Sequence, residues 1–163
     1  IWKGQYDKAA TKITQLQAIQ HKSEEDAIYL SYYLGLLAQK MNDNTAAIAW
    51  FDLAFEKAKH RPLMVVNARL FLSYGDSYFA EQDFVTALKY YQQALRYHDD
   101  VGNAMGVSSM KLHIAKTLIK LERHEEAAVL YNEATALITA LNLYFLRSMA
   151  SDIATQLYPS VSE

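Results

Sequence analysis

The side chains with the most chemical potential are five histidines, at 21, 60, 98, 113 and 124. None of them forms an HExxH motif, and no two stand four apart, the spacing that puts a pair of zinc ligands on one helical face. His98-Asp99-Asp100 offers three donors for a cation, yet a histidine at a helix end is equally well placed by its attraction to the helix dipole. Glu24-Glu25-Asp26 and Glu125-Glu126 sit where helices are expected to begin, a position that favours acids without any catalytic task. Ser108 and Ser109 lie close to His113, but no acid nearby in sequence could orient the imidazole as a nucleophilic triad requires. There is no GxSxG or GxGxxG, and Gly102-Asn103-Ala104-Met105-Gly106 lacks the Lys and Ser/Thr of a phosphate-binding loop. With no cysteine in the chain, thiol catalysis, thiolate metal sites and disulfides are all excluded. These patterns point away from an enzyme, and no metal or cofactor is expected.

What these side chains stand on follows from composition. Only 5 Gly and 2 Pro occur among 163 residues, where average usage would give roughly 20. Sandwiches and barrels need turn residues every few positions, so the scarcity favours an all-α chain. Sixteen Lys and Arg against 18 Asp and Glu give a net charge of −2, which provides no electrostatic footprint for nucleic acid. No apolar run approaches the ~18 residues of a spanning helix, so no membrane insertion is expected. The chain opens on Ile1 with neither Met nor leader peptide, and is read as a segment of a longer protein, cytoplasmic or periplasmic.

The strongest pattern is internal. Ala47, Ala87 and Ala127 are forty residues apart, and so are Phe51, Tyr91 and Tyr131, and Ala54, Ala94 and Ala134. The same offset relates Leu30, Leu70 and Met110, then Leu34, Tyr74 and Ile114, then Gly35, Gly75 and Ala115. Each column holds one size class. Within the unit, Ala, an aromatic four later and Ala three later share one helical face, and the upstream set marks a partner helix packed on it. The periodicity predicts helices over 6–20, 25–41, 45–60, 62–82, 84–98, 104–121, 124–141 and 143–157. Pro62 suits a first-turn position and Pro159 ends the last helix. Short polar connections such as Asn42-Asp43-Asn44 and Gln82-Asp83 make successive helices antiparallel neighbours.

On these residues the unit resembles a tetratricopeptide repeat. Its best copy is Phe71-Leu72-Ser73-Tyr74-Gly75-Asp76-Ser77-Tyr78 followed by Ala87, Tyr91 and Ala94, with Asp99 where a Pro is common. The copy around Leu34, Gly35 and Ala38 lacks the first aromatic and the Tyr, and the copy around Ile114, Ala115 and Leu118 also lacks the Gly. The resemblance implies a right-handed α-solenoid of antiparallel hairpins. Residues 1–22 would be the second helix of a partial repeat, 25–60, 62–98 and 104–141 three full repeats, and 143–158 a terminal capping helix, all in one segment spanning 1–163. Tyr6, Ile13 and Leu16 would then form a face lacking its natural partner, with Trp2 belonging to the missing helix. The usual period is 34. Forty-residue versions resemble those of kinesin-light-chain-like proteins and of bacterial signalling proteins, including peptide-pheromone sensors.

The resemblance also implies where function would sit. The concave surface of such a solenoid is lined by the first helix of each hairpin. The matching positions are Tyr29, Tyr32, Tyr33, Leu36 and Gln39; Arg69, Leu72, Ser73, Asp76 and Phe79; and Ser109, Leu112, His113, Lys116 and Lys120. Aromatics give contact area at low entropic cost, and Arg or Lys can hold carboxylates. A protein or peptide ligand with apolar and acidic features is the implied partner, with other domains of the same protein as the recipients of a binding signal. Where chaperone-tail-binding relatives place Lys and Asn, this chain has Tyr32 and Leu36, so that ligand is not expected. Two further readings stand beside this one: self-association through exposed solenoid ends, giving a homodimer, and small-ligand sensing. Part of the surface could equally bury an adjacent element of the parent protein.

Overall fold

The computed structural model describes Thr11, residues 23–60 and residues 64–159. The expected helix over 6–20, Trp2, Tyr6, Ile13, Leu16 and Pro62 lie outside these residues. Seven α-helices are seen among the described residues: α1 Glu24–Lys40, α2 Asn44–Ala58, α3 Met64–Ala80, α4 Phe84–Asp100, α5 Ala104–Lys120, α6 His124–Ala140 and α7 Arg147–Leu157, the last preceded by a 3-10 turn at Tyr144–Leu146. The all-α class and the hairpin organisation are those the sequence implies.

The forty-residue period has a simple origin. The first six helices begin at 24, 44, 64, 84, 104 and 124, so each helix and its connection together take twenty residues. All but α2 in that series are 17 residues long, about 25 Å at 1.5 Å per residue. Three residues join successive helices, except between α2 and α3. The middle one is left-handed at Asn42, Gln82, Gly102, Glu122 and Asn142, with φ between 54° and 68°. At Asn42 the closure is complete: its N–H donates to Gln39 O, and the next N–H, of Asp43, reaches back to Ala38 O. The same long bond runs from Asn103 to His98, from Arg123 to Leu118 and from Leu143 to Ile138. This is the Schellman closure that satisfies the last carbonyls of a helix. The third residue then caps the next helix. Asp43, Asp83 and Asn103 each accept from the backbone N–H three residues on, and Ser23 with Asp26 forms a full capping box.

Expected boundaries move by two residues at the ends of α2, α3 and α4, and by four at the start of α7, which follows the 3-10 turn. Helix α4 continues through Asp99 and Asp100, and only Val101–Asn103 remains as the connection. Two acids at a helix C-terminus oppose the dipole, but they are exposed and screened, and the left-handed Gly102 fixes the end. Helix α2 instead stops at Ala58, with Lys59 in right-handed conformation, two residues short of the twenty-residue beat and of the expected end at 60.

The chain divides into two compact units, 1–81 and 82–163. In the first, α1 pairs with α2, and α3 packs on both. Its centre is aromatic. Phe51 is fully buried, with its ring 6.1 Å from Tyr32 and 5.6 Å from Tyr74, and a Cβ on Gly35 would lie only 2.3 Å from Phe51 Cε1. Gly35 is therefore a packing residue: it leaves room for the ring. The Tyr74 hydroxyl donates to Asp52 Oδ1 at 2.7 Å, so a buried ring keeps a polar partner at the surface. In the second unit, α5 is packed by α4, α6 and α7. Tyr91, Met110, Leu112, Ile114 and Leu118 fill its interior. All six alanines of the two Ala columns are 0% exposed across both units, which identifies them as the close-contact positions of each hairpin.

Three of the buried hydroxyls are satisfied within their own helices. Ser31, Ser108 and Thr117 each donate to the carbonyl four residues back. This settles Ser108, whose hydroxyl is bound within its own helix at 0% exposure rather than presented beside His113.

Candidate functional site

In the first unit the structure brings together most of the expected α1 and α3 positions. Gln39 of α1 donates from Nε2 to Ser73 O and to Ser77 Oγ of α3, both at 2.8 Å. Tyr32 is 6% exposed and hydrogen-bonded to Ser73; burial raises its hydroxyl pKa, opposed by that bond and by Arg69, while Tyr33 and Asp76 push the same way as burial. Tyr32, Tyr33, Arg69, Ser73 and Asp76 thus lie within one electrostatic neighbourhood. These ties fix α1 beside α3 and form a closed polar floor.

Above that floor the chemistry is mixed. Tyr33 is 49% exposed, stacked on half-buried Tyr29 at 6.5 Å and tilted 5.5 Å from Tyr32. Arg69 and Asp76 are exposed, and Leu36, Leu72 and Phe79 are half-buried. This is a strip with aromatic and aliphatic area flanked by one cation and one anion. Such a composition suits protein recognition, where aromatic and Arg side chains carry most of the affinity.

Three expected contact residues need correction. Ser73 and Tyr32 belong to the interior, because their polar groups hold the two helices together, and Gln39 spends its amide on the same task. Ser77, which the sequence pattern did not single out, is the fourth member of that network; its only signal was a small polar residue one turn after Ser73 on the same face.

The positions on α5 are described within the second unit. Leu112 is 0% exposed, so it is core. His113 is half-buried, its Nδ1 is 2.9 Å from Ser109 O, and its ring is 5.2 Å from that of Tyr91. A carbonyl only accepts, so His113 Nδ1 carries a proton and the ring is held by its own helix. Ser109 and Lys116 are half-buried and Lys120 is exposed. The open side chains here are cationic. Lys111, next to this set, is committed to Glu133 of α6 at 2.7 Å.

No group of three or more His, Asp or Glu side chains among the described residues is arranged to hold a metal ion, and no described helix is long and apolar enough to cross a membrane. His98, Asp99 and Asp100 accordingly do not converge: both aspartates are exposed while the imidazole turns inward.

Helices recurring every twenty residues and packed through small-residue columns define a helical-repeat protein. Residues 67–140 match the family model described as Tetratricopeptide repeat, so that stretch carries tetratricopeptide repeats. The hairpin formed by α1 and α2 lies outside the matched stretch and repeats the same columns. No curated protein matches the chain. Tetratricopeptide repeats are a scaffold that mediates protein–protein interaction, and that is the functional class of these repeats.

Proposed function

We propose that the chain is a non-catalytic binding module that takes a protein or peptide partner on the strip formed by α1 and α3. Tyr29, Tyr33, Leu36, Arg69, Leu72, Asp76 and Phe79 supply the contacts. The observation that carries this reading is the Gln39–Ser73–Ser77–Tyr32 network, because it fixes the backbone beneath an exposed Tyr33 in advance of binding. A preformed surface loses less conformational entropy when its ligand arrives. In this reading the module is the adaptor or regulatory segment of a larger signalling protein, and a bacterial origin rests on the resemblance of its forty-residue period alone.

The test is a random peptide library presented to the purified chain, followed by titration of the enriched peptides. Replacing Tyr33 and Arg69 together with Ala weakens those peptides by about tenfold or more, since truncating one such anchor typically costs about 2 kcal/mol. The thermal midpoint stays unchanged, because both side chains are exposed. Enriched peptides that bind the double variant as tightly as the parent would exclude this strip.

Self-association is a second reading, favoured by Tyr144 at 60% and Phe145 at 64% exposure beside Tyr158 at 54% in the second unit. Sedimentation over a dilution series tests it directly: a size independent of concentration removes it.

A further inference from the structure

The connection between α4 and α5 contains a titratable ring in an unusual setting. His98 lies in the last turn of α4, partly buried, with its ring packed over Gly106 in the first turn of α5. A Cβ on Gly106 would stand 2.3 Å from His98 Nδ1 and 2.4 Å from its Cγ, so only glycine admits the ring. Asn103, the capping residue between them, touches both. Its Oδ1 accepts from the Gly106 N–H at 3.0 Å, and its Nδ2 lies 3.2 Å from His98 Nδ1.

These contacts determine the state of the imidazole. A backbone N–H can only donate, so the oxygen of the Asn103 amide must face Gly106 and its NH2 must face the ring. That NH2 also only donates, so Nδ1 must accept. The ring is neutral, with its proton on Nε2.

We propose that His98, Asn103 and Gly106 form a proton-operated latch between α4 and α5, closed while the imidazole is neutral and released when Nδ1 takes up a proton. Protonation uses the lone pair that receives the Asn103 hydrogen bond and sets two donors face to face. The amide must then turn away, giving up its bond from Gly106 and with it the cap of α5. The charge also arrives beside the N-terminal end of α5, which repels cations, although the C-terminal end of α4 attracts them.

The surroundings do little to counter this. The neighbouring titratable groups on α4 are Tyr97, whose ring meets that of His98 edge-on at 5.5 Å, and Asp99 and Asp100, both exposed. Residues 104–110 of α5 carry no titratable side chain. Burial accordingly holds the imidazole below its ordinary value of 6.5. A depressed folded value means that the unfolded chain binds the proton more readily. The latch is therefore fully stabilising above pH 6.5 and is lost as the pH falls through the lower folded value. Forty residues on, the corresponding places hold Ile138 and Leu146, both buried and neither titratable.

The experiment is nitrogen-15 NMR of the full chain, following the His98 ring and the Gly106 amide from pH 8 to 5. At pH 7.5 the expected state is an unprotonated Nδ1 with a protected Gly106 amide. Below the ring's midpoint, which falls under 6.5, that protection is lost beyond the intrinsic pH dependence of exchange. Asn103→Asp should reverse the response, since a carboxylate accepts from Gly106 and from a protonated Nδ1 together: the midpoint rises and protection survives on the acid side. A proton on Nδ1 at pH 7.5, or Gly106 protection that is unaffected by the His98 titration, would overturn the latch on the parent chain alone. An unchanged midpoint in Asn103→Asp would also overturn it.

Discussion

Gly35 decides the geometry of the first hairpin, because the ring of Phe51 occupies the volume a methyl group would need. An alanine there should gain helix propensity and still lose stability, by roughly 1–3 kcal/mol, as an overpacked core does. Chemical denaturation of Gly35→Ala measures the difference. The Ala, Gly and aromatic columns disclosed this packing in advance, since contact residues of a repeat must return at its period. Gln39, Ser73 and Tyr32 were harder to place. Groove position and interior tie demand the same polar residue on the same helical face, and only the distances to α3 separate the two. Leu112 was unreadable for a similar reason: groove and core positions both take an apolar residue on that helix, and only its burial separates them.

At the scale of elements, the three-residue connection carries most of the design, and it admits opposite perturbations. Gln82 and Glu122 hold left-handed backbone that costs an L-residue about 1 kcal/mol, whereas Gly102 takes the same conformation freely. Glu122→Gly should raise the thermal midpoint. Gly102→Ala should lower it by a similar amount without any steric contribution, because an added Cβ meets nothing within 4 Å. Arg123 provides a third case. It occupies the capping position of α6 without a side-chain cap, and its pairing with Glu126 is an exposed ion pair of small value. Arg123→Ser creates a capping box with Glu126 and should stabilise the chain by about 0.5–1 kcal/mol in thermal denaturation. Asp83 already fulfils this role, and its hydrogen bonds from Thr86 hold its carboxyl below the ordinary value. Its contribution is present at neutral pH and disappears as the pH falls through that lowered value. The repeat length was legible from the sequence to the residue, but the end of α4 was not, since closure at the left-handed Gly102 outweighs side-chain preference there.

At the scale of the molecule, the two units present different surfaces. The first has its aromatic and charged strip over a tied floor. In the second, α7 exposes Arg147, Ser148, Ser151, Asp152, Thr155 and Gln156, a polar outer face of the sort a terminal helix needs. Tyr144 beside it is covered on one side by the Arg147 guanidinium, 4.2 Å from the ring centroid, which leaves Phe145 as the most exposed large apolar side chain described. If copies of the chain pair there, Phe145→Ser removes the concentration dependence of size in sedimentation and leaves peptide binding intact. The two surfaces therefore compete as explanations of function, and one measurement separates them. Amide chemical-shift mapping of an enriched peptide on the labelled chain should show perturbations concentrated on α1 and α3 around Tyr29, Tyr33, Arg69 and Asp76. Perturbations confined to residues 141–158, with α1 and α3 silent, would contradict the account.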